Sequence, residues 1–230
     1  MTDLIFLDLD DTIFDFAKAE EVAIGKTLRR FGIDPTPAVV ERYSVINKAQ
    51  WERLERGELN RAQVKLRRFE ILFGELGVDA DAEEARRFYE EQLAIGHYFM
   101  EGAEALLEEL SARGYRLFLA SNGTLAVQEG RIASAGIAKY FEKMFISEQL
   151  GAVKPQKEFF EAAFAQIPDF SKERAVIFGD SLTSDIQGGI NAGIRTCWFN
   201  PKGAPGREDI RPDGEIHHLS RFVLWLEEQD

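Results

Sequence analysis

The chain has 230 residues, 45% hydrophobic and 30% charged, the composition of an ordinary globular protein with room for one large domain or two modest ones. Its net charge of −12 repels nucleic acid backbones and anionic membranes, so neither a polymer nor a membrane is an expected partner, and an anionic substrate would need a local cation. The single cysteine, Cys197, rules out an intrachain disulfide, favours a reducing compartment and sits in an apolar run as a small buried hydrophobe.

The first element is a short apolar strand that runs into Asp8-Leu9-Asp10-Asp11-Thr12. Asp8 and Asp10 are two residues apart and point the same way from a strand. Carboxylates this close raise each other's pKa and call for a cation; the alternative is a turn made by Asp11 and Thr12. Asp15 N-caps a helix that runs to Phe31 and stops at Gly32. Thr36 and Pro37 open a second helix to Arg56, with Val39, Tyr43, Ile46 and Leu54 near one face and Gly57 at its end. Asn60 and Gln63 form a capping box for a third helix, closed by Gly77, and Asp81 with Glu84 forms another before a fourth that runs to about Ile95. Residues 15–95 therefore read as helix after helix, without a strand.

From Gly102 the pattern alternates. A helix over 103–113 precedes the strand Tyr115–Ala120, which ends in Ser121-Asn122-Gly123. A helix to about Ala135, a short strand from Met144 to Ser147, Lys154-Pro155 and a helix from Glu158 to Ile167 follow. The strand Ala175–Phe178 ends in Gly179-Asp180, a short helix after Asp185 stops at Gly193, and Thr196–Phe199 is another strand. A loop rich in Gly and Pro leads to an edge strand near Ile216 and an amphipathic helix from Ser220. Such alternation means an α/β, Rossmann-like three-layer core: a parallel sheet with helices on both faces. Residues 1–14 and 96–230 are expected to form that core, with the all-helical block at 15–95 inserted just after the first strand. No apolar run approaches the ~20 residues of a membrane span. The N-terminus has no basic start or cleavage site, so no signal peptide and a cytoplasmic location are expected.

Open parallel sheets bind ligands at the carboxyl ends of their strands. Asp8, Asp10 and Thr12, then Ser121 and Asn122, then Asp180 and Asp185 fall at that rim, with Lys154 in the loop after the third strand. Asp8, Asp10 and Asp180 are hard oxygen ligands suited to Mg²⁺ and unsuited to zinc. His97, His217 and His218 lack metal-ligand spacing. Ser121 and the Asn122-Gly123 amides suit phosphate oxygens, and Lys154 supplies positive charge.

These residues resemble the four ordered signatures of the haloacid dehalogenase superfamily of Asp-nucleophile phosphohydrolases: Asp8-Leu9-Asp10-Asp11-Thr12, Ser121, Lys154, and Gly179-Asp180 through Asp185. The helical block looks like the superfamily's inserted C1-type cap. A closer resemblance, including Trp51-Glu52-Arg53 and Gly179 to Asn200, is to bacterial 5'-nucleotidases that act on pyrimidine nucleoside monophosphates. The resemblance implies Asp8 as nucleophile, forming an aspartyl-phosphate, and Asp10 as proton donor, neutral at first, then acceptor. It implies Mg²⁺ held by Asp8, the Asp10 carbonyl and Asp180, with Asp185 orienting a metal water or Lys154. Lys154, Ser121 and Asn122 would neutralise phosphoryl oxygens, and Thr12 would anchor the turn beside them. Phe14 and Phe16 are candidates to stack on a base, and Asn47, Trp51 and Arg68 to read sugar or base; cap core or a solvated helix face is the alternative for each. The expected partner is a small phosphate ester, and the chain a monomer or homodimer. Rival readings are a sugar-phosphate phosphatase or phosphomutase, a metal-free dehalogenase, and a non-catalytic phospho-accepting signalling domain.

Overall fold

A computed structural model of the chain describes residues 2–229. Strand β1 (Leu4–Leu7) opens the fold, followed by α1 (Phe16–Arg30), α2 (Pro37–Glu55), α3 (Arg61–Leu76) and α4 (Ala82–Ala94). Each of these helices starts where its sequence supplies a cap. Asp15 accepts the Lys18 N–H, Thr36 accepts from Val39, and Asn60 and Gln63 satisfy each other's backbone donors. The second expected box is only half formed. Asp81 accepts the Glu83 and Glu84 N–H groups, but the Glu84 side chain pairs with Arg30 instead (2.8 Å). These helices bury a core of their own around Tyr43, Phe69 and Tyr89, and among the described residues its one member from outside the block 15–95 is Val127.

After α5 (Ala103–Ala112) come β2 (Arg116–Ser121), α6 (Leu125–Ala135), β3 (Phe141–Ile146), the single turn α7 (Ser147–Leu150), α8 (Lys157–Phe164), β4 (Ala175–Gly179), α9 (Gln187–Ala192), β5 (Arg195–Phe199), β6 (Gly214–Ile216) and α10 (Phe222–Glu228). The six strands form one parallel sheet in the order β3-β2-β1-β4-β5-β6. Its period of two divides the core. Ile5, Leu7, Leu119 and Phe178 face the layer of α5 and α10, while Phe6, Phe118 and Ile177 face that of α8. Phe6 lies 5.2 Å from Phe118 and 5.5 Å from Phe164, and burying a side chain of this size contributes about 1.5–3 kcal/mol.

Strand β3 begins three residues earlier than the expected Met144. Glu142 and Lys143 hide its apolar pattern, and Glu142 pairs with Arg116 on the neighbouring strand (2.6 Å). The short helix expected after Asp185 is α9, which stops at Gly193, and Asp185 itself lies in a wide helical turn, Leu182–Ile186, that leads into it.

The register fixes where the functional loops meet. Leu7 is opposite both Leu119 and Phe178, so β1, β2 and β4 end within two residues of one another. The order runs outward from β1 in both directions, and a crevice at such a reversal is where ligands bind in open α/β sheets.

Candidate active site

Asp8 follows the last residue of β1, and its N–H donates to the Phe178 carbonyl (3.0 Å), which keeps it in line with the sheet. Lys154 reaches it from the loop before α8. The buried ammonium donates to Asp8 Oδ1 (2.6 Å), Asp185 Oδ1 (2.5 Å) and the Ala120 carbonyl (2.6 Å), which uses all three of its N–H groups. Asn122 brackets the Lys154 backbone, accepting its N–H (2.8 Å) and donating to its carbonyl (2.9 Å); the Lys154–Pro155 peptide bond is cis. Asp185 also accepts the Ser181 N–H (3.0 Å), and a Cβ at Gly179 would fall on its carboxylate, so glycine is required there. Thr12 is fully buried and accepts the Asp180 N–H (3.1 Å), tying the end of β4 to the loop after β1.

Carboxylate oxygens of Asp8, Asp180 and Asp185 come within 4.8 Å of one another. Burial pushes the Asp8 carboxyl up to about 8. Asp185 and Asp10 add to the rise, and Lys154, shared with Asp185, does not offset it. Burial, then Asp8 and Asp185, also hold Asp180 well above the usual carboxylate range. Burial opposes the Lys154 charge, but Asp185 and Asp8 outweigh it and raise its pKa. One ammonium among three carboxylates leaves a deficit of positive charge, and an all-oxygen donor set fits a hard divalent ion such as Mg²⁺.

The sign of the pH effect follows. Between the ordinary carboxylate value of 3.8 and about 8, the folded chain holds a proton on Asp8 that the unfolded chain has released. The metal-free protein is therefore expected to lose thermal stability as pH rises from about 5 to about 8, and Mg²⁺ to raise the unfolding temperature more at the upper end. An unfolding midpoint that climbs over this range without metal contradicts the assignment.

Asp10 points away from that cluster. Arg131 Nη1 donates to Oδ1, and Gln128 Nε2 donates to Oδ2 (2.7 Å) and to Ser121 Oγ (2.9 Å). Arg131 is fully buried, and its Nε donates to the Gly96 carbonyl (2.8 Å). Neither Gln128 nor Arg131 was singled out from the sequence. Their only signal is a spacing of three on the helix after the Ser121 strand end, too common a pattern to find them.

A cavity of about 590 Å³ opens over the rim beneath the helical block, a volume ordinary for a small-molecule site. Asp8, Asp10, Ser121, Asn122, Lys154, Asp180 and Asp185 line its floor. Asn47, Trp51 and Arg68 line its upper wall but are largely committed to one another. Asn47 Oδ1 accepts from Trp51 Nε1 (3.1 Å) and Arg68 Nη1 (2.9 Å), and its amide donates to Glu20 (2.6 Å). Phe14 is not on that wall. It is fully buried, edge-on to Phe99 (5.2 Å), because the chain folds back so that its carbonyl accepts the Asp11 N–H (2.7 Å). Phe16, which opens α1, takes the cavity position. Thr12 does not line the cavity either, and reaches it only through Asp180. Glu20 and Glu55, both absent from the sequence reading, do line it. Burial, then the Asp185 charge, pushes Glu55 up to about 7; its carboxyl accepts from Thr183 Oγ1 (3.3 Å).

A family model described as haloacid dehalogenase-like hydrolase matches residues 2–193. The chain is 39% identical to a pyrimidine 5'-nucleotidase, PynA, of Streptococcus pneumoniae, over 97% of this chain and 94% of that protein. It is 29% identical to another pyrimidine 5'-nucleotidase, YjjG of Escherichia coli, over 96% and 97% of the two chains. The crystal structure of the HAD-hydrolase YfnB of Bacillus subtilis, bound to magnesium, superposes with a TM-score of 0.93 at 36% identity and covers 98% of each chain. Among the described residues no helix is long and apolar enough to cross a membrane.

Proposed function

Because this chain belongs to the haloacid dehalogenase-like hydrolases, we propose that it is a Mg²⁺-dependent phosphomonoesterase that works through an aspartyl-phosphate and hydrolyses pyrimidine nucleoside 5'-monophosphates in the cytoplasm. Residues 1–14 and 96–230 serve as its catalytic body and 15–95 as its cap. The observation that carries the reading is the Lys154 bridge between Asp8 and Asp185, set at the neighbouring ends of three strands under a covered cavity. The substrate class is supported by the likeness to PynA and YjjG over nearly the whole of each chain.

Asp8 Oδ2, the oxygen not held by Lys154, is the nucleophile, attacking phosphorus in line as the P–O bond to the nucleoside breaks. Ser121 and the backbone N–H of Asn122 hold phosphoryl oxygens, and Lys154 keeps the Asp8 carboxylate in place and offsets the charge that gathers there. Asp8, Asp180 and the Asp10 carbonyl would hold Mg²⁺, with Asp185 anchoring Lys154 beside it. The metal would supply positive charge to the phosphoryl oxygens. Asp10 gives a proton to the departing 5'-oxygen and takes one from the water that hydrolyses the intermediate. Arg131 and Gln128 fix both of its oxygens as acceptors, the arrangement of a base set for that second step. Phe16 and Trp51 offer flat surfaces to a base, while Asn47 and Arg68 brace the wall behind them.

A Mg²⁺-dependent phosphate-release screen over nucleotides and sugar phosphates tests this. UMP, dUMP and dTMP are expected to lead, and EDTA to stop release. If sugar phosphates do as well, the nucleotide reading fails and the phosphatase reading stands; turnover that survives EDTA removes the metal from the mechanism.

A further inference from the structure

Arg61 is the first residue of α3, yet its side chain ends in the core. Its Nη1 donates to the carbonyls of Asn122 (2.8 Å) and Gly123 (2.9 Å), and its Nη2 donates to Ser147 Oγ. The Trp51 ring lies over the guanidinium at 5.6 Å. None of these partners is an anion. The carboxylate it meets, Glu148, stands 4.0 Å from Nε and accepts the Leu125 N–H (2.7 Å).

Local structure does not favour a cation here. The first turn of a helix carries the positive end of its dipole and prefers acids. Burial lowers the Arg61 pKa, with Glu148 only partly opposing it. A buried charge with neutral partners is costly, so what the side chain holds is the place to look for its role.

It holds the loop after β2. Asn122 and Gly123 line the cavity beside Ser121, and Asn122 brackets Lys154 from both sides. The peptide units whose carbonyls Arg61 takes present their N–H groups at Gly123 and Thr124, which are also on the cavity wall. The Gly123 N–H donates to Ser121 Oγ (3.1 Å) and so sets that hydroxyl. A cation on the carbonyl side of a peptide strengthens the N–H on the other side as a donor. The loop is thus braced from behind by a residue of the helical unit, not of the sheet that carries it.

We propose that Arg61 is a positioning residue that aligns the phosphate-binding loop 121–124 only while the helical unit is seated on the core. This rests on the phosphatase reading above. The coupling runs both ways: an oxyanion held by the loop draws Arg61, and α3 with it, more firmly onto the core.

The test uses the full chain, Arg61→Met and Arg61→Lys, with p-nitrophenyl phosphate and UMP as substrates and orthovanadate as the phosphate mimic. Misplacement of a phosphate loop is expected to lower kcat/KM of Arg61→Met by about 30- to 100-fold on both substrates. In the wild type, vanadate is expected to slow amide hydrogen exchange in 60–66 and in 121–125 together. In Arg61→Met the protection at 60–66 is expected to vanish, which a purely structural brace does not predict. Arg61→Lys reaches one carbonyl and is expected to fall between the two in rate and in protection; it decides the matter if Arg61→Met does not fold. The proposal is overturned if the folded variants stay within roughly threefold of wild-type kcat/KM, the scale of ordinary surface substitutions, or if vanadate protects 60–66 as well in them as in the wild type. A wild type inert toward both esters with Mg²⁺ takes the phosphatase reading down with the proposal, whereas an active wild type with indifferent variants removes the proposal alone.

Discussion

Asp8→Asn is expected to abolish phosphate release while leaving the chain folded. The amide has the shape of the carboxylate but cannot attack phosphorus, and loss of a covalent nucleophile costs on the order of 10⁴-fold or more. Folding should not suffer, because Lys154 keeps Asp185 and the Ala120 carbonyl as partners. Stability should even improve at the alkaline end. Burial makes the charged Asp8 costly, so its folded pKa of about 8 lies above the ordinary value, and the destabilisation it brings grows as pH rises between the two. Removing that charge is expected to raise the unfolding temperature near pH 8 and to change it little near pH 5. Acid-quenched samples with radiolabelled substrate should show phosphoprotein in the wild type and none in the variant. Purified Asp8→Asn that retains more than about a thousandth of wild-type turnover places the nucleophile elsewhere.

Lys154→Met is expected to damage both folding and turnover. Among the described residues the ammonium is the one cation whose hydrogen bonds join Asp8 to Asp185, and it is buried with both. Removing one partner from a buried ion pair costs about 3–5 kcal/mol, since the remaining charge has neither water nor a counter-ion. Turnover should fall by about 10²–10³-fold, because the positive charge set against the phosphoryl group is gone. The raised Lys154 pKa adds a sign check. Stability from its charge is complete below the ordinary lysine value and is lost only as pH climbs toward the folded one, so no loss from this source is expected near neutrality. The variant's deficit should instead shrink as pH falls and Asp8 takes up a proton. Mg²⁺ should recover part of it at pH ~7.5, where the uncompensated carboxylates attract the ion most. A variant that melts with the wild type at that pH shows that Lys154 is not the internal counter-ion.

The layout of the sheet was legible because its strands are apolar on both faces and end in polar residues. Asp8, Ser121, Asn122, Lys154, Asp180 and Asp185 could be gathered on one rim before any coordinate was known, and all of them line one cavity floor. Helix starts at Asp15, Thr36 and Asn60 were legible for a similar reason, since capping chemistry is local. Groups that act across the fold were not. Gln128 and Arg131 meet Asp10 from 118 and 121 residues away, and Arg61 meets Asn122 from 61 away. Nothing near them in sequence distinguishes them from solvated helix residues. The choice between Phe14 and Phe16 also lay beyond a local reading. Asp11 adopts φ +57° and its carboxylate accepts the Phe16 N–H (3.0 Å), so the turn is bent by a left-handed residue that is not glycine. That bend sends Phe14 inward and leaves Phe16 at the cavity, and it gives Asp11 a structural task.

The self-contained interior of the four-helix block has an evolutionary reading. Among the described residues its main apolar cluster shares only Val127 with the rest of the molecule, and a smaller one, Leu54, Leu59 and Val64, shares Val153, so the apolar centre of the block can drift with little effect on the packing beneath the sheet. Selection can therefore remodel the upper wall, where Trp51 and Glu20 stand, as a separate module. The obligations that such a module inherits are few: a chain entry at Asp11, an exit near Gly96, apolar seats for Val127 and Val153, and an anchor equivalent to Arg61. A graft of a foreign block that respects those joints should keep the hydrolytic machinery and change only what is admitted to it.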